Sequence, residues 1–110
     1  MGQTMAAAVE PQCLRALEQA NHVRVARAKL KRRVRAGGLA ASQIVLTAPW
    51  QARTMSVGEL LMSQRGWGRV RTRRLLTSLA VPENKQIATL SERQRLAIAA
   101  VLTARTTRVD

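Results

Sequence analysis

Between residues 66 and 76 the sequence runs Gly66-Trp67-Gly68-Arg69-Val70-Arg71-Thr72-Arg73-Arg74-Leu75-Leu76. These residue types, at this spacing, are suited to holding an anion. A glycine accepts φ > 0 and leaves no Cβ in the way of a close approach. The free N–H groups that open a helix, backed by its dipole, favour a phosphate. Arg69, Arg71, Arg73 and Arg74 add charge and forked donors. The chemistry implied is a backbone clamp on a phosphate polymer, with Gly66, Gly68 and Thr72 shaping the turn and the arginines closing on it.

The whole chain leans the same way. Lys and Arg number 19 against 6 Asp and Glu in 110 residues, a formal charge of +13. Such a balance says little about fold and much about partners, which must be anionic. Aromatics are confined to Trp50 and Trp67, which argues against a single-strand binder that stacks bases on several rings. It also argues against an RNA-recognition sheet. One cysteine, Cys13, and one histidine, His22, exclude a disulfide within the chain and a Cys/His zinc site. Neither a metal nor a cofactor is expected. No apolar run approaches the length of a membrane span, and no secretory signal is evident. A reducing, cytoplasmic compartment is expected.

The elements that must position the clamp are all helical. Residues 1–10 are small, polar and Ala-rich, and are expected to be poorly ordered. Pro11 opens a long helix that Gly37-Gly38 stops. A short helix lies within 39–48, with Ser42 as its N-cap and Ile44, Val45 and Leu46 to bury. Ser56-Val57-Gly58-Glu59 is a capping box for a helix to about Gln64, with Val57, Leu60 and Leu61 inward. The next helix covers residues 69–79, its apolar character carried by Val70, Leu75, Leu76 and Leu79. Pro82-Glu83-Asn84-Lys85-Gln86 cannot continue it, and Ile87 and Leu90 pack down between turns. Ser91-Glu92-Arg93-Gln94 is a second capping box, opening a last helix that buries Leu96, Ile98, Ala99, Val101 and Leu102. No stretch alternates with period two, so the fold class is all-α. The chain divides into residues 1–10, the long helix 11–38, a compact helical domain 39–104, and a tail 105–110.

The second half of the long helix carries Arg24, Arg27, Lys29, Lys31, Arg32, Arg33 and Arg35. At roughly 100° per residue these seven surround the helix rather than share a face, leaving Val23, Leu30 and Val34 as a narrow apolar strip. Compensation of the helix C-terminus explains two or three of them near Ala36, not seven. Lys29, Lys31, Arg32, Arg33 and Arg35 are therefore candidate nucleic-acid contacts. A basic amphipathic helix on a membrane is the other reading, but the strip is thin and lacks an interfacial Trp. In the first half, Leu14, Leu17, Asn21, Val25 and Ala28 keep helical spacing on one face.

Residues 60–76 have the form helix, Gly-x-Gly turn, helix. The order apolar residue, Gly66-Trp67-Gly68, three residues, the small Thr72, two residues, Leu75-Leu76 is the helix–hairpin–helix pattern. Thr72 stands where Ala is usual. Trp67 between the glycines is expected to point inward and hold the hairpin, and Trp50 to be a packing or hinge residue. Catalysis is not expected. His22 has no neighbouring Ser, Cys or metal partner in sequence, and the acidic residues are scattered rather than paired for two-metal chemistry.

From Gly68 to Leu102, a helix, a double turn through Val81-Pro82-Glu83-Asn84-Lys85-Gln86 and a capped helix at Ser91-Glu92-Arg93-Gln94-Arg95 look like a helix–two-turns–helix. With the basic run Ala26 to Ala36 ending at Gly37-Gly38 and the short helix Val57-Gly58-Glu59-Leu60-Leu61, residues 12–103 resemble actinobacterial integration host factor. Trp67, in place of a small aliphatic residue, and the density of arginines after Gly68 depart from that pattern.

The resemblance implies a nucleoid-associated protein that binds and bends double-stranded DNA with little sequence specificity, serving site-specific recombination, with a recombinase as a further partner, or DNA compaction. No long apolar heptad seam calls for an obligate dimer, so a monomer is expected. The resemblance places contacts at Gly66 to Arg73 and at the second turn, Asn84, Lys85, Gln86 and Arg93. The same double turn occurs in a ribosomal protein, so binding of structured RNA is the alternative. A regulator that meets a protein partner through Trp50 and Trp67 is a third reading.

Overall fold

Pro11 has no N–H to lose in a first turn, and no glycine or further proline interrupts the chain until Gly37. The result is one helix, α1, over Pro11–Arg35. It ends where Gly38 N–H donates to the Arg33 carbonyl and Gly37 N–H to that of Val34. The computed structural model describes residues 11–108, with side chains through residue 104. The expectation for residues 1–10 lies outside the described residues. After α1 come α2 (Ala41–Thr47), α3 (Val57–Met62), α4 (Arg69–Ser78) and α5 (Glu92–Arg108), with 3-10 turns at Trp50–Ala52 and Ile87–Thr89. The all-α class is found. Among the described residues the only β feature is a single bridge between Ser56 and Gln86.

The core is aliphatic. Ile44 and Val45 of α2, Leu60 and Leu61 of α3, Leu75 and Leu76 of α4, and Ile98 and Leu102 of α5 meet around Met55, Val57 and Ile87. Each such side chain contributes roughly 1.5–3 kcal/mol by leaving water. The narrow strip on α1 is used: Leu30 and Val34 are buried in this same core. The chain N-terminal to them projects, so the molecule extends 64 Å along its long axis. On that projecting part Leu14, Leu17 and Val25 are exposed.

Several local expectations are corrected. Ser42 does not cap α2: Ala40 holds the N-cap position without a side-chain bond, and Ser42 lies inside the helix. Leu46, Val70 and Leu96 are exposed, because each sits off the i, i+3, i+4 stripe by which its helix meets the core. The first capping box is half formed. Ser56 Oγ accepts from Glu59 N–H at 3.1 Å, but the Glu59 carboxylate turns to Lys31 Nζ at 2.8 Å. The second box is complete, with Gln94 N–H to Ser91 Oγ at 3.1 Å and Ser91 N–H to Gln94 Oε1 at 2.9 Å. No Gly or Pro stops α5 at Ala104, and its helix continues to Arg108, through residues assigned to the tail.

Candidate nucleic-acid interface

The turn before α4 is built from its own polar groups. Gln64 Nε2 donates to the Leu61 carbonyl at 3.2 Å, and Trp67 N–H to the Gln64 carbonyl at 3.1 Å. Gly66 takes φ +82°, the left-handed region where a Cβ is disfavoured. Trp67 then packs, half-buried, against the core. The guanidinium carbon of Arg71 stands 4.2 Å above the indole, and Arg71 Nη1 reaches the Gly66 carbonyl at 3.4 Å. The inward role expected of Trp67 is found, and it also fixes Arg71. At the small-residue position Thr72 is buried, its Oγ1 without a hydrogen-bond partner. It lies on α4, which packs on α3, with Leu75 and Leu76 filling the space beneath.

Gly68 is the N-cap of α4. It brings no capping side chain, and the first turn holds no acidic residue. The opening amides of this ten-residue helix thus stand without a side-chain cap beside Arg69 and Arg71. Gly68, Arg69, Arg71, Arg74 and Ser78 line an open concavity of about 740 Å³. A cation-lined surface at a helix N-terminus without a side-chain cap has the electrostatics to favour an anion.

The double turn is laced to the first turn of α3 and to Met55 just before it. Ile87 N–H donates to the Met55 carbonyl at 3.0 Å, Val57 N–H to that of Lys85 at 2.8 Å and Gly58 N–H to that of Glu83 at 2.9 Å. This fixes Asn84 and Gln86 as exposed residues and Lys85 as a half-buried one, with Arg93 exposed at the start of α5. An ion pair joins the double turn to α4. Arg73 Nε donates to Glu83 Oε2 at 3.0 Å and Nη2 to Oε1 at 3.4 Å. The Arg73 hydrogen bond holds the Glu83 carboxyl below its usual range against a smaller desolvation push upward, with the charges of Arg73 and Arg69 adding to the depression. The same hydrogen bond, with the charge of Glu83, raises the Arg73 pKa.

The third cationic group is on α1. Lys31, Arg32 and Arg35 line a groove of about 440 Å³ with Glu59 and Met62 of α3. Lys29 and Arg33 are exposed but lie outside that lining. The structure therefore ties α4 to the double turn through Arg73 and Glu83 and sets Lys31, Arg32 and Arg35, but not Lys29 and Arg33, against α3.

Three residues, Arg95, Arg27 and His22, carry roles that sequence reasoning missed. Arg95, at the start of α5, spans to the Val45 carbonyl at 2.8 Å and that of Ala88 at 3.2 Å, so it ties elements together. Arg27 donates to Thr54 Oγ1. His22 stacks on Trp50 with ring centroids 5.0 Å apart, which makes Trp50 a hinge-packing residue although it is 51% exposed. Only contacts distant in sequence reveal these roles, and no local pattern carries them.

No family model matches the chain, and no curated protein matches it. Among solved structures, that of sIHF bound to an 8-base-pair palindromic DNA is similar, with a TM-score of 0.71. The likeness covers 77% of this chain and 98% of that one at 24% sequence identity. The fold expected from the resemblance to integration host factor is thus found.

Proposed function

We propose that this chain is a non-enzymatic, double-stranded DNA-binding protein that grips backbone phosphates and bends the duplex. One observation carries the reading. The start of α4 has no side-chain cap and has Arg69, Arg71 and Arg74 about it, and the next turn of the same helix is tied to the double turn through Arg73 and Glu83. This surface belongs to a fold shared with a DNA-bound protein. Backbone N–H groups and guanidinium forks there contact phosphate oxygens and read no base edge, so sequence preference is weak.

The α1 cations supply a second surface, and two basic surfaces on one body suit bending or bridging of duplexes. Action on the nucleoid, in compaction or beside a site-specific recombinase, is the role to which this binding belongs. The direct test is titration of random-sequence duplex over a salt series, run against structured RNA as competitor. Duplex preference with a steep salt dependence supports the reading, and RNA preference replaces it. Atomic-force images of unbent, unbridged DNA at saturating protein would remove the bending claim.

A further inference from the structure

Only 6 of the 110 residues are acidic, yet one of them meets an arginine of α4. Glu83 belongs to the double turn, and its two carboxylate oxygens meet two nitrogens of Arg73 in a fork-to-fork pair, 3.0 and 3.4 Å. This is the geometry in which a guanidinium takes a phosphate. Arg69 lies near enough to lower the Glu83 pKa as well. The carboxylate is tethered from below. Its own main-chain carbonyl accepts from Gly58 N–H at 2.9 Å, so the backbone stays in place whichever way the exposed side chain turns.

We infer that Glu83 is an intramolecular stand-in for a backbone phosphate. Its carboxylate occupies the Arg73 guanidinium in the free protein and yields it to an arriving phosphodiester, which makes Glu83 a built-in restraint on affinity. The inference rests on the DNA-binding reading above and specifies how one subsite of that surface is kept. Without it, Arg73 would be a free cation and the surface would hold non-specific polyanions more tightly.

The test is duplex binding by anisotropy for the wild type, Glu83→Gln, Arg73→Gln and the double variant, each shown to be folded by its melting curve. The Glu83→Gln change leaves the main-chain carbonyl that meets Gly58 and removes only the charge. This variant is expected to bind several-fold tighter than wild type at low salt. In both proteins the complex gives Arg73 to a phosphate, so the number of phosphates neutralised, and with it the slope of log K against log salt, is expected to be nearly the same. In the Arg73→Gln background the gain is lost.

Unchanged or weaker binding by Glu83→Gln overturns the inference. So does an equal gain in the Arg73→Gln background, or an equal gain from Glu18→Gln on α1, since either would reflect net charge alone. In the wild-type chain, the Arg73 Nε–H resonance is expected to move on adding duplex while the Glu83 carboxyl returns toward its ordinary pKa. Absence of both changes at saturation also overturns the inference. Wild-type protein that shows no duplex binding refutes the functional reading itself, and the inference falls with it.

Discussion

Gly58 and Glu83 meet so closely that no side chain fits between them. The Gly58 N–H donates to the Glu83 carbonyl at 2.9 Å, and a Cβ built on Gly58 would fall 2.8 Å from that oxygen and 3.2 Å from the Glu83 Cβ. Gly58 therefore docks the double turn on the first turn of α3. Gly58→Ala is expected to force that turn outward at a cost of about 1–3 kcal/mol, as overpacking does. At roughly 4–8 °C per kcal/mol for a domain near this size, calorimetry should record a clearly lower melting temperature. Duplex affinity should fall with it, because Asn84 and Lys85 ride on the same turn.

The Arg73–Glu83 pair gives stability a pH dependence of known sign. Glu83 is held below its unfolded value, near 4.5. Its contribution is therefore complete above that value and lost as pH falls through the lowered one. Melting curves of wild type and Glu83→Gln should differ slightly at neutral pH and converge on acidification below the ordinary carboxylate range. The pair is exposed, so the neutral-pH difference stays small.

Stacking of His22 on Trp50 ties the projecting part of α1 to the domain. His22→Ala should cost about 0.5–1.5 kcal/mol, the worth of an aromatic pair beyond its buried area. In a Trp67→Phe background Trp50 is the sole tryptophan. Its emission should then shift to the red when His22 is removed, and an unchanged spectrum would show that the stack is absent in solution.

Arg74 and Arg73 are neighbours in sequence with different duties. Arg73 is paired with Glu83, whereas Arg74 lines the concavity at the start of α4. Arg74→Ala should weaken binding to all duplex sequences alike and reduce the salt slope by about 1. Anisotropy titrations on two unrelated sequences check both the loss and its uniformity.

Much of this is legible along the chain because it is local. The Gly66–Leu76 spacing places Thr72 and the Leu75-Leu76 pair, and the Ser91–Gln94 box places the start of α5. Ile87 and Leu90 pack down as their place between turns implies. What is not legible depends on contacts across the fold. Glu59 has the sequence position of a capping residue but meets a better partner in Lys31, 28 residues earlier in the chain. Gly58 looks like a weak point in a helix, and the approach of Glu83 explains it. Val70 and Leu96 are apolar but sit off the buried stripe, and a period count over so short a stretch does not fix the face. Glu83 itself lies in a polar run with no signal that its charge meets Arg73.

The central claim is that this surface binds duplex phosphates, and the salt dependence of binding tests it most directly. Neutralising roughly five to eight phosphates gives a slope of log K against log salt of about −4.5 to −7 for random-sequence duplex. A slope in that range, with duplex preferred over structured RNA, is the result expected. A slope near zero would contradict the account.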